Sequence, residues 1–213
     1  MLLDRLAALK VVPVIRTDRA EEAERACVWL LEAGLQALEV TLSVPDAVPL
    51  IADLRRRHPE ALVGAGTVLD ADAADRCVEA GAAFLVAPAA APAVAQVAAA
   101  RGIPFLPGAA TPSEVLARWR EGAALVKVFP AKLLGGPAFL KTLRSVFPDI
   151  PLMPTGGVTP ETASDYLAAG ALCVGMGGEL APREALATGD KERVMALAHQ
   201  ALAALDLTPN EQP

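Results

Sequence analysis

Lys127 is set apart by its neighbours. It sits inside the apolar run ALVKVFP (residues 124–130), and it is one of only five lysines in the chain, the others being Lys10, Lys132, Lys141 and Lys191. A charged amine in the middle of an apolar run is expensive to bury without a partner or a purpose. Desolvation disfavours the charged form of an amine, and a neutral amine attacks carbonyls. Lysine in this setting is therefore suited to Schiff-base chemistry. Glu39, inside LEVTL (38–42), is a second ionisable group in an apolar run. A carboxylate near Lys127 has two possible roles, proton carrier or simple counter-ion. Arg16 closes VVPVIR (11–16), and Thr67 lies in VGAGTVL (63–69). Glycine pairs form a further signal: Gly156-Gly157 after Thr155, and Gly177-Gly178 after Met176. Glycine lets the backbone approach a ligand closely, and backbone N–H groups in such loops suit a phosphate.

These residues need a scaffold that brings them together, and the chain repeats one pattern throughout. A polar helical stretch ends in Gly, and an apolar run follows. The pattern is clearest at Gly34, Gly81, Gly102, Gly122 and Gly170. With VVPVIR, and with ALVGAGTV and IPLMPTGG, which follow His58-Pro59 and Phe147-Pro148, there are eight apolar runs. Helices are predicted over 18–34, 70–81, 111–122 and 159–170. Asp or Thr stands as the N-cap of the last three, and Pro follows Thr111 and Thr159. Eight such units most simply close as a (β/α)8 barrel, with residues 1–10 as a short N-terminal helix. A doubly wound open sheet is the alternative, but no strand is followed by GxGxxG. One domain is expected over 1–213, with a frayed polar tail at 206–213.

Alternation along a strand sorts inward from outward residues. Glu39 and Thr41 oppose Leu38, Val40 and Leu42. Lys127 shares a face with Leu125 and Phe129, and Arg16 with Val12 and Val14. Thr67, on the parity of Ala65, is expected to join them at the C-terminal strand ends, where such barrels place their chemistry. Trp29 and Trp119 are expected to be packing residues.

Composition narrows the field. Apolar residues make up 54%, and 19 basic against 25 acidic residues leave a net charge of −6. Without a basic block, nucleic acid is not an expected partner. No apolar run is long enough for a membrane span. Three cysteines and two histidines at wide spacing form no metal, disulfide or Ser-His-Asp pattern. The expectation is a cytoplasmic protein with reduced thiols and no metal.

Together, VVPVIR, LEVTL, VGAGTVL, LVAP, IPFLPG, VKVFPA, PTGGVTPE and VGMGGEL resemble the KDPG/KHG aldolase family, over about residues 11–200. Its activities are 2-dehydro-3-deoxy-phosphogluconate aldolase and 4-hydroxy-2-oxoglutarate aldolase. The resemblance implies a (β/α)8 barrel, a homotrimer, and a metal-independent class I aldolase needing no cofactor beyond a Schiff base with its substrate. It implies Lys127 as the Schiff-base lysine and Glu39 as the general acid/base. It places Thr67 at the pyruvate moiety and Thr155 where stereochemistry is influenced. Gly156, Gly157, Gly177 and Gly178 match phosphate-loop positions. The expected substrate contacts are Arg16, Thr41, Ser43, Thr67, Pro88, Phe129 and Thr155. Ser43 stands where many gluconate-type members carry Arg, so Arg16 is expected to grip the substrate carboxylate. The MGGEL ending is closer to the phosphogalactonate-type relatives. The alternative readings are a 2-dehydro-3-deoxy-6-phosphogalactonate aldolase, a sugar-phosphate epimerase and a non-catalytic phospho-ligand-binding barrel.

Overall fold

The protein, described here over residues 1–207 by a computed structural model, alternates strand and helix along its whole length. The elements run α1 (Leu2–Leu9), β1 (Val11–Ile15), α2 (Ala20–Glu32), β2 (Ala37–Thr41), α3 (Ala47–Arg57), β3 (Leu62–Gly66), α4 (Ala71–Glu79) and β4 (Leu85–Val86). Then come α5 (Pro92–Arg101), β5 (Phe105–Leu106), β6 (Gly108–Ala109), α6 (Pro112–Arg120), β7 (Val126–Val128) and α7 (Gly136–Val146). The described chain finishes with β8 (Leu152–Pro154), α8 (Ala163–Ala168), β9 (Val174–Met176), α9 (Arg183–Thr188) and α10 (Lys191–Ala203). Beyond Leu207, the expected polar tail lies outside the described residues.

Every ladder is parallel, in the orders β5-β4-β3-β2-β1-β9 and β6-β7-β8. Segments β5 and β6 are one barrel strand interrupted by Pro107, which has no N–H to give. Its carbonyl still accepts from Lys127 N–H at 2.9 Å. A parallel bridge between Thr155 and Gly175 and a bond from Leu172 N–H to the Leu152 carbonyl (2.9 Å) join β8 to β9. The sheet therefore closes on itself as an eight-stranded (β/α)8 barrel, and the open-sheet alternative falls away.

Alternation divides the apolar residues into two bodies. Leu38, Val40, Val63, Ala65, Val126 and Val128 point outward, in one cluster with Leu30, Leu54 and Leu140 of the surrounding helices. Val12, Leu62, Phe84, Leu106, Leu125 and Met153 fill the barrel interior. Leu6 and Leu9 of α1 are buried with this inner group, so α1 plugs the floor. Phe84 reaches so far across that a Cβ at Gly64 would lie 2.3 Å from its ring. Filling the lower barrel this way leaves the upper end for polar side chains.

The helix signals hold with one exception. Gly34, Gly81, Gly102, Gly122 and Gly170 all have positive φ after a helix. The Asp70 side chain caps α4 by accepting from Ala73 N–H, and Thr111 with Glu114 forms a capping box on α6. The helix predicted from Thr159 begins only at Ala163, because the Thr162 hydroxyl takes Thr159 N–H at 3.0 Å and residues 160–162 form a turn. Trp119 is not a packing residue: it is 38% exposed. The three cysteines are free and buried. Burial pushes the Cys27 and Cys173 thiols up to about 12 and Cys77 up to about 11. Among the described residues, no helix is long and apolar enough to cross a membrane.

Candidate active site

At the C-terminal end of the barrel, strand alternation turns Glu39 of β2 and Lys127 of β7 toward each other. Lys127 Nζ donates to both carboxylate oxygens of Glu39, at 3.0 and 3.1 Å. Glu39 is 1% and Lys127 5% exposed, so the pair is withdrawn from water yet still reaches the cavity through the lysine. Two small residues make the room. A Cβ at Gly66 would lie 2.2 Å from Glu39 Oε1, and one at Gly175 would lie 2.3 Å from Thr155 Oγ1. The Phe129 ring, 37% exposed, stands beside the amine with its centroid 5.8 Å from Nζ.

Above this pair opens a cavity of about 510 Å³. Lys127, Phe129, Thr155, Arg16, Thr67 and Pro88 all line it. So do Gly156, Gly157, Gly177 and Gly178, which brings both glycine pairs to one rim. Gly156 and Gly157 have φ of 96° and 74°, a backbone shape that glycine adopts without strain. The stem of Lys132 lies over Gly157, and this lysine is exposed, as a rim residue would be.

Three site residues behave differently from their expected roles. Thr67 does reach the cavity, but not by alternation. Ala65, of the same parity, packs outward, and a φ of +56° at Thr67 turns its side chain back inward. Thr41 does not line the cavity. It is fully buried, with its hydroxyl 2.8 Å from the Ile15 carbonyl and 2.8 Å from Ser43 Oγ. Ser43 does not line it either, and instead accepts from Arg16 Nη1 at 2.9 Å. Arg16 Nη2 reaches Thr67 Oγ1 at 3.0 Å. One guanidinium therefore ties the ends of three strands together at the cavity mouth. Thr155 Oγ1 is buried and has no hydrogen-bond partner among the described residues.

Val14 lines the cavity from the inward face it shares with Arg16, and three further lining residues, Glu179, Ala181 and Arg183, follow β9 where strand alternation gives no guide. Glu179 stands out as an acidic residue directly after the last glycine pair. Its Oε2 accepts from Gly177 N–H at 3.1 Å. Arg183 pairs with Asp18 at 3.0 Å at the outer rim. Among the described residues, no three His, Cys, Asp or Glu side chains gather to hold a metal ion.

A buried amine against a carboxylate, under a cavity with a guanidinium fork and a glycine rim, can form an imine with a keto acid and move a proton beside it. The comparisons point the same way. The family model for KDPG and KHG aldolase matches residues 2–197. A 2-dehydro-3-deoxy-phosphogluconate aldolase of Pseudomonas aeruginosa is 38% identical over 194 residues, covering 91% of this chain and 88% of the relative. A KHG/KDPG aldolase of Escherichia coli is 38% identical over 193 residues, covering 90% of each chain. The crystal structure of a KDPG aldolase from Legionella pneumophila, with pyruvate captured as a covalent carbinolamine, superposes with a TM-score of 0.86 at 32% identity, covering 94% of this chain and 98% of that one. With the match spanning nearly the whole barrel, the chain belongs to the KDPG and KHG aldolase family and is a class I pyruvate aldolase, a lyase.

Proposed function

We propose that this aldolase cleaves a 2-keto-3-deoxy-6-phospho-sugar acid, 2-dehydro-3-deoxy-6-phosphogluconate, to pyruvate and glyceraldehyde 3-phosphate. It would also cleave 4-hydroxy-2-oxoglutarate to pyruvate and glyoxylate. The observation that carries this reading is the buried Lys127–Glu39 pair at the base of the cavity. Membership of an aldolase family leaves the epimerase and the non-catalytic barrel without support.

Lys127 Nζ adds to the C2 ketone, and the resulting carbinolamine loses water to become a protonated imine. Glu39 takes the proton of the C4 hydroxyl as the C3–C4 bond breaks. The bonding electrons move through C2 to the imine nitrogen, giving an enamine and releasing the aldehyde. Protonation of the enamine at C3 and hydrolysis return pyruvate and free Lys127. The Arg16 fork, with Thr67, holds the substrate carboxylate. Thr155, whose hydroxyl has no partner among the described residues, reads the C4 configuration. Gly156, Gly157, Gly177 and Gly178 hold the phosphate through backbone N–H groups. No metal takes part in this scheme. The family resemblance supports a cytoplasmic homotrimer, and exposed Trp119, Leu133 and Val146 offer apolar surface for subunit packing.

The test is incubation with pyruvate and borohydride, with EDTA present, followed by peptide mass spectrometry. A reduced pyruvyl adduct on Lys127 is expected. Folded protein that gives no adduct with excess pyruvate, or an adduct at another lysine, would remove Lys127 from the mechanism. Using the wild-type chain avoids a folding artefact, since Lys127→Met strands the buried Glu39 carboxylate at a cost of about 3–5 kcal/mol.

A further inference from the structure

We propose that Glu179 is a specificity-determining residue whose carboxylate stands in the glycine rim and weighs against phosphorylated substrates; this rests on the aldolase reading above. The rim is built to receive an anion, with Gly156 and Gly157 at positive φ and Gly177 and Gly178 beside them on the same cavity. In the free enzyme an anion already belongs to that rim. Glu179 Oε2 accepts the Gly177 N–H at 3.1 Å, and the side chain, half-buried, forms part of the cavity wall.

A phosphate monoester carries close to two negative charges at neutral pH. To use Gly177 N–H it must displace a carboxylate and then accept its repulsion, because Glu179 is anchored to the same loop. The rim has cations, but they answer this charge incompletely. Arg183 is already paired with Asp18, and Lys132 lies exposed over Gly157. The rim is open beside Glu179, since a Cβ at Gly178 would meet nothing within 4 Å. The consequence is a site that admits phosphorylated aldehydes against a standing competitor. Uncharged aldehydes of similar length meet no such barrier, because they do not call on the Gly177 N–H.

The deciding measurement is calorimetric binding of glycerol 3-phosphate to the wild type, Glu179→Gln and Glu179→Ala. Gln removes the charge but can keep the bond to Gly177, whereas Ala removes both. The dissociation constant is expected to fall about tenfold or more in at least one variant, with Ala showing the larger fall if occupancy matters as much as charge. In aldol addition to pyruvate, the ratio of kcat/KM for glyceraldehyde 3-phosphate to that for glyceraldehyde should rise by a similar factor. Dissociation constants unchanged within about twofold in both folded variants would overturn the proposal. Borohydride trapping of pyruvate on the wild type keeps the two readings apart. An adduct on Lys127 with unchanged binding sinks the role of Glu179 alone, whereas a missing adduct sinks the aldolase mechanism. The binding assay needs no turnover and reads Glu179 in either case.

Discussion

Thr155 carries a buried hydroxyl, Oγ1, that has no hydrogen-bond partner among the described residues. A buried polar group without a hydrogen bond costs stability, and Thr155 lines the cavity, where a bound molecule can supply the partner. On the proposed mechanism that molecule is the substrate. Thr155→Val should leave the thermal midpoint unchanged or slightly raised, because the isostere removes an unsatisfied group. The ratio of kcat/KM between the two C4 epimers of the 6-phosphorylated substrate should fall by about tenfold. A variant that keeps the wild-type ratio would show that the hydroxyl does not contact the substrate. At this scale the sequence was most legible where strand alternation holds. Lys127, Glu39 and Arg16 could be placed from their neighbours alone. Thr67 has outward parity with Ala65, and its positive φ is what brings it to the cavity. Thr41 has the right parity but sits too deep and bonds to Ile15 and Ser43. Glu179 is legible as the one other acidic residue at the end of an apolar run, whereas Arg183 is not legible, because its placement depends on a loop where no periodicity guides the reading.

The strands act by what they leave out as much as by what they present. Strand β3 reads LVGAG, and its inward positions Gly64 and Gly66 make way for Phe84 and Glu39. Gly66→Ala is the sharp test of this. The backbone there needs no unusual conformation, so the effect is steric: the new Cβ would meet the Glu39 carboxylate at 2.2 Å. We expect a loss of about 1–3 kcal/mol in stability, and a larger fall in kcat than a change in KM for the pyruvate-forming reaction. Denaturant unfolding with steady-state kinetics would check both, and unchanged kcat would mean that the carboxylate can move without consequence. Eight apolar runs were enough to give the barrel and its order. Two details were not legible: the break of the fifth barrel strand at Pro107, and the late start of α8. Both turn on single backbone donors, which hydrophobic patterning does not report.

The whole molecule is two apolar bodies around one ring of strands, with α1 joined to the inner one. Leu6 is fully buried inside that ring rather than on the surface of a frayed N-terminus. Leu6→Ala should therefore cost about 2–5 kcal/mol in unfolding free energy, as in a true core position. Chemical denaturation measures this, and a loss below about 1 kcal/mol would mean that α1 docks loosely. The plug has a kinetic meaning too. A barrel sealed at its floor has a single doorway, so everything that enters or leaves passes the same rim. On the proposed mechanism, the fragment held on Lys127 lies at the bottom of a blind well, and the aldehyde lies between it and the exit. Traffic is then last in, first out: the aldehyde departs before pyruvate is freed, and in the synthetic direction pyruvate must enter first.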